Sequence, residues 1–123
     1  MNDERLERTI EIRASPDDVW SALIDPESLS EWVGADAELE AELGGAARFR
    51  FPDGARRLGL VEEFDPPRRL AIRWREIRGA GLSLDVRDAS VVVFELTARG
   101  DRTIVTVRET PGLLAPESEA MAR

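Results

Sequence analysis

Between Asp36 and Arg108 the sequence repeats one device: a short run in which polar and apolar residues alternate, closed by glycine, proline or aspartate. A period of two is the signature of strands with one face buried. Arg48-Phe49-Arg50-Phe51 is followed by Pro52-Asp53-Gly54, and a longer run over 57–64 is closed by Asp65-Pro66-Pro67-Arg68, where neither proline can donate to a ladder. Leu70, Ile72 and Trp74 then share one face and Arg73 and Arg75 the other, while Leu82, Leu84 and Val86 keep up the alternation in the connection after Gly79-Ala80-Gly81. The run over 89–98 is the most apolar, and Arg99-Gly100-Asp101 turns it into 103–108. Residues 36–43 carry helix-favouring residue types, but their strict alternation before Gly44-Gly45 reads as the first arm of a hairpin.

The N-terminal third differs. Residues 5–13 form one more half-buried strand, with Leu6, Ile10 and Ile12 on a face. Ser15-Pro16-Asp17-Asp18 and Asp25-Pro26-Glu27 are two successive helix starts, each a capping side chain, a proline at the first helical position and acids facing the positive end of the dipole. They predict helices over 16–23, carrying Val19, Trp20 and Leu23, and over 26–32, carrying Leu29 and Trp32. A strand, two short helices and then about six strands joined by short turns specify an α+β fold: a curved antiparallel sheet of about six to seven strands packed on helices, in a single domain over 1–123 whose later strands occupy 36–109.

Composition narrows the chemistry. The chain has no Cys, His, Lys or Tyr, all 17 of its basic residues being Arg. Thiolate, imidazole and Schiff-base catalysis are thereby excluded, as are metal sites built on nitrogen and sulfur, and no cofactor is expected. A net charge of −8 disfavours nucleic acid and anionic membrane surfaces, which are held through excess positive charge. No apolar run approaches the roughly 20 residues that cross a bilayer, and Met1 to Arg8 lacks the apolar stretch of a signal peptide. The expected location is cytoplasmic. The acidic residues Asp36, Glu38, Glu40 and Glu42 share a strand face at spacings of roughly 6.5–7 Å. They do not converge on one ion and read as a solvated face, with Arg56-Arg57 and Arg68-Arg69 as its counter-charges. Trp32, Phe49, Phe51, Trp74 and Phe94 are the large side chains available either to pack a core or to line a pocket.

Four stretches, in this order, resemble the SRPBCC (START-like, helix-grip) superfamily: Ile10-Glu11-Ile12-Arg13-Ala14-Ser15-Pro16-Asp17-Asp18-Val19-Trp20; Leu29-Ser30-Glu31-Trp32; Gly59-Leu60-Val61-Glu62-Glu63-Phe64-Asp65-Pro66-Pro67-Arg68-Arg69-Leu70; and Thr103 to Glu109 leading to Pro111-Gly112. The branch they resemble contains the C-terminal domain of activators of the ninety-kilodalton heat-shock chaperone's ATPase. The resemblance implies a sheet gripping a long C-terminal helix over a cavity, with Trp32 and Trp74 at its border. It sets Gly59, Val61 and Glu63 on one inward face. An inward Glu63 in an apolar cavity would act as a general acid or base. Paired with Arg48, Arg50, Arg73 or Arg75, it would be structural.

The family's long closing helix is reduced here to a loop and helix stub over 110–123, of about two turns after Pro116. Three readings follow. The first is non-enzymatic binding of a hydrophobic small molecule through Trp32, Phe49, Phe51, Val61, Glu63, Trp74 and Phe94. The second is docking of a protein partner, chaperone-related or a second copy of the chain, on an uncovered concave face. The third is a cyclase- or hydrolase-like enzyme using Glu63. The residue inventory favours binding over catalysis.

Overall fold

A computed structural model describes residues 6–79, 82, 84–86 and 89–111. Strand β1 (Leu6–Ile12) leads into helices α1 (Pro16–Ile24) and α2 (Pro26–Val33). Seven strands follow: β2 (Asp36–Leu39), β3 (Ala46–Arg50), β4 (Arg56–Asp65), β5 (Arg69–Arg78), β6 (Asp85–Val86), β7 (Ser90–Arg99) and β8 (Arg102–Pro111). The stub expected after the last strand lies, from residue 112 onward, outside the described residues, and residues 110 and 111 still belong to β8. Among the described residues no helix is long and apolar enough to cross a membrane.

Both helices start where their caps dictate. Ser15 Oγ accepts a bond from the Asp18 N–H at 3.1 Å, and Asp25 Oδ2 accepts one from the Ser28 N–H at 3.0 Å. Helix α2 ends at Gly34, whose φ of 74° lies in the left-handed region that a side chain disfavours. Ser30 then ties α2 to the sheet: its hydroxyl donates to the Pro26 carbonyl and accepts from the Ala37 N–H on β2.

The sheet is antiparallel throughout, in the order β1-β8-β7-β5-β4-β3-β2, with two-residue β6 added beside β5. It curls into a half-barrel, and α1 and α2 sit in its concave side. Alternation decides what faces them. Ala47 and Phe49 from β3, Leu70, Ile72 and Trp74 from β5, Val92, Phe94 and Leu96 from β7, and Val105 from β8 are buried against Val19, Trp20 and Leu23 of α1 and Leu29 of α2. Thr103 is the exception among these apolar residues, fully buried yet satisfied, its hydroxyl donating to the Ala14 carbonyl at 2.7 Å. Gly59 faces Trp74 across β4 and β5, and a Cβ there would lie 2.0 Å from the Arg73 carbonyl oxygen, so no other residue lets these strands approach so closely.

One feature of β4 overturns the face assigned to Glu63. Val61 pairs with Ile72 and Glu63 with Ala71, leaving Glu62 as a bulge between them. A bulge adds one residue and shifts the alternation by one. Val61 remains buried, Phe64 turns inward to meet Trp20 edge-on at 5.5 Å between ring centroids, and Glu62 and Glu63 both point outward. Glu62 pairs with Arg73 at 2.8 Å and Glu63 with Arg69 at 2.5 Å. From Glu63 the convex face carries a continuous ladder of alternating charge, Glu63–Arg69–Glu95–Arg108–Glu7, crossing five strands.

Candidate functional site

The concave face is not filled to its edge. Where the β1 side of the half-barrel faces α2, a cleft of about 440 Å³ remains, within the usual range of small-molecule sites. Its floor is Trp74, Val92, Phe94 and Val107 from β5, β7 and β8; Ile10 and Ile12 of β1 form one wall, and Leu29, Trp32 and Val33 of α2 the other. Ile10 and Trp32 are each 37% exposed and stand at the rim.

One end of this apolar cleft is polar. Arg57 projects inward from β4, its guanidinium 4.6 Å from the centre of the Trp74 ring and 5.4 Å from that of Phe51. Its Nε donates to Glu76 Oε1 and its Nη1 to Glu109 Oε2, both at 3.2 Å. Glu109 Oε2 also accepts from Ser90 Oγ at 2.8 Å and from Trp74 Nε1 at 3.2 Å, while the same indole N–H is shared with Ser90 Oγ at 2.8 Å. Trp74 is therefore fixed on every side, since its ring also meets Phe49 edge-on at 4.8 Å.

Behind Arg57 the charges continue outward. Glu76 Oε2 accepts from Arg78 Nε at 2.6 Å, and Arg78 Nη1 reaches Asp53 at 3.4 Å in the β3–β4 turn. The hydrogen bond from Arg78, reinforced by the Arg57 charge, holds the Glu76 carboxyl below its ordinary value of 4.5 against the opposing effect of burial. The Asp53 carboxyl is lowered chiefly by the Ala55 N–H, and the Arg78 guanidinium is raised chiefly by its bond to Glu76.

Both Glu76 oxygens are bound to arginine, and Glu109 Oε2 already takes three donors. With both oxygens engaged, Glu76 has little acceptor capacity left for a substrate proton.

Of the residues singled out in the sequence, Trp32, Trp74 and Phe94 line the cleft. Phe49 and Val61 are buried beside it in the core, and Phe51 lies under Arg57. Glu63 is on the opposite face of the sheet, its side chain half exposed. Arg57 and Glu109 do not stand out in the sequence as cleft residues, although alternation points to both. Arg57, Gly59 and Val61 share one face, as do Thr103, Val105, Val107 and Glu109. The basic pairs do not serve the acidic face of β2: Arg56 donates to the Gly79 carbonyl, Arg57 turns inward, Arg68 binds Asp65, and Arg69 binds Glu63 and Glu95. That face is met instead by Arg48, which pairs with Glu38 at 2.9 Å. Among the described residues no cluster of three or more acids is placed to hold a metal ion.

Known proteins bear on this geometry. The family model described as activator of Hsp90 ATPase homolog 1-like protein matches residues 13–122. No sequence among the curated proteins matches the chain. Among solved structures it is similar to Mll3558 from Rhizobium loti, 27% identical with a TM-score of 0.65 over 89% of this chain and 80% of that one. It is also similar to CalU16 from Micromonospora echinospora, 26% identical with a TM-score of 0.61 over 85% of this chain and 57% of that one. DynU16, a protein of the dynemicin biosynthetic locus, shares the fold at 23% identity and a TM-score of 0.73 over 98% of this chain, which spans 42% of its length.

Proposed function

The chain belongs to the family of activator of Hsp90 ATPase homolog 1-like proteins, and from that premise we propose that it binds a hydrophobic small molecule, without catalysis, in the cleft between α2 and the β1–β8 side of the sheet. The observation that carries this reading is the pairing of apolar walls with one polar end held rigid by the Arg57–Glu109–Trp74–Ser90 network. Burial of a ligand's apolar surface supplies the affinity, and a few fixed polar groups supply the orientation. Val107 faces the cleft from β8 and is only partly buried, so Val107→Trp fills the cavity from its own floor. Native mass spectrometry of protein purified under mild conditions tests the reading. An apolar compound retained by the wild type and lost in Val107→Trp, with the circular dichroism unchanged, supports it. Retention of the same compound by both proteins counts against the cleft.

A second reading rests on the rim, where Ile10 and Trp32 present apolar surface on either side of the opening. Such a surface also suits a protein partner, either a second copy or a chaperone-related chain. Light scattering on the eluting protein tests self-association: a dimer that Trp32→Glu dissociates favours this reading, and a monomer at high concentration refutes self-association.

A further inference from the structure

The polar end of the cleft has a definite hydrogen-bonding character. A guanidinium carries five N–H donors, and Arg57 uses one on Glu76 and one on Glu109, leaving three without a protein acceptor among the described residues. The acceptor nearest it, Glu109 Oε2, already takes Arg57, Trp74 and Ser90. What the guanidinium offers an incoming group is donors.

The charge points in a different direction. At the polar end Arg57 and Glu109 cancel one another; Glu7, whose carboxylate binds Arg108 on the convex face, adds no charge to the cleft, and Arg8 lies on the exposed β1 wall away from this pair. Glu76 and Arg78 behind Arg57 also cancel. An anionic head brought to the free N–H groups of Arg57 would lie beside the Glu109 carboxylate, 3.2 Å from the Arg57 Nη1 that it occupies. Like charges this close in a partly desolvated site repel strongly, and the net charge of −8 on the chain adds to that repulsion. A cationic head would meet Arg57 itself.

We propose that the ligand is an uncharged apolar molecule bearing a carbonyl-type acceptor, which takes a hydrogen bond from the Arg57 guanidinium while its apolar body lies along Trp74, Phe94, Ile10 and Trp32. This rests on the reading of the cleft as a small-molecule site and adds the chemistry of the head group. Donors fixed by packing and by ion pairs need no reorganisation when such a group arrives, so selection falls on the acceptor rather than on the hydrocarbon.

Three probes with one body separate the possibilities: the methyl ketone acetylnaphthalene, the hydrocarbon ethylnaphthalene and the anion naphthoate, each followed by equilibrium dialysis against the full chain at neutral pH. In the wild type, acetylnaphthalene binds at least about tenfold more tightly than naphthoate. Arg57→Met, which keeps the apolar stem against Trp74, weakens acetylnaphthalene by about tenfold, as loss of a hydrogen bond from a charged donor requires, and leaves ethylnaphthalene unchanged. Glu109→Gln raises the net charge of the lining by one and improves naphthoate relative to the ketone. This variant, with the wild-type ranking, decides the matter if Arg57→Met does not fold. Equal weakening of ketone and hydrocarbon in Arg57→Met, or tighter binding of naphthoate than of ketone to the wild type, overturns the head-group assignment and leaves the cleft reading standing. If none of the three binds, the cleft reading falls and the assignment falls with it.

Discussion

Replacing Trp74 by Phe removes one N–H from the centre of the site while leaving a ring to pack on Phe49. The indole N–H donates to Ser90 Oγ at 2.8 Å and to Glu109 Oε2 at 3.2 Å, and Trp74 is 4% exposed. A hydrogen bond to a charged group contributes about 1.5–3 kcal/mol. The lower end applies, because the bond is shared and Glu109 keeps Arg57 and Ser90 as donors with its side chain 24% exposed. The smaller ring also leaves a void, which adds about 1 kcal/mol. The variant should thus lose about 2–3 kcal/mol in urea unfolding with an unchanged slope, and its Tm should fall by roughly 6–12 °C. A cycle with Glu109→Gln separates the two effects, since the void is present whether or not the carboxylate is. The pair should couple by about 1 kcal/mol. Additivity of the two substitutions to within about 0.3 kcal/mol would refute the claim that this indole is anchored through Glu109.

Three further outcomes follow from the geometry. Glu76 has a lowered pKa in the folded chain, so the folded state binds fewer protons than the unfolded state near the ordinary value of 4.5. Its stabilising contribution is present above that pH and is lost as pH falls through the folded value, so Glu76→Gln should show a shallower loss of stability in acid than the wild type in an unfolding series from pH 7 to about pH 3. Gly59→Ala should destabilise the fold by more than about 3 kcal/mol in the same assay, because its Cβ would meet backbone atoms of Arg73 and Trp74 that cannot rotate away. Glu63→Gln should change stability by no more than about 1 kcal/mol and leave probe binding in the cleft unaltered, since Glu63 lies outside on the convex face. Loss of binding in that variant would restore an inward Glu63.

Most of the architecture was legible because it is written in local signals. Ser15-Pro16 and Asp25-Pro26 set both helix starts through caps that need no tertiary context. The alternation of Leu70, Ile72 and Trp74 identified the buried face of β5. The site was legible only in part. Trp32, Trp74 and Phe94 stand out by size and line the cleft, whereas Arg57 and Glu109 look like surface residues until their neighbours' faces are followed through them. Counting by twos from Val61 brings Arg57 inward correctly and Glu63 inward wrongly, because the Glu62 bulge lies in only one of the two directions. A bulge between two adjacent glutamates has no signature in side-chain polarity, as both residues are equally at home in water. The partners of the arginines were hidden for a related reason: with 17 arginines against 25 acids, charge alone permits many pairings, and strand register chooses among them. Register set Arg69 beside Glu95 rather than beside the acids of β2.

An apolar molecule held in the cleft between α2 and β1 would leave its trace in the amide and indole NMR shifts of the labelled chain during titration with acetylnaphthalene. Saturable shifts should concentrate at Ile10, Ile12, Leu29, Trp32, Val92 and Phe94 and at the indole N–H of Trp74, with the amides of Leu58 and Leu60 on the convex face of β4 unmoved. Shifts confined to Leu58 and Leu60, or the absence of any saturable change, would contradict binding in this cleft.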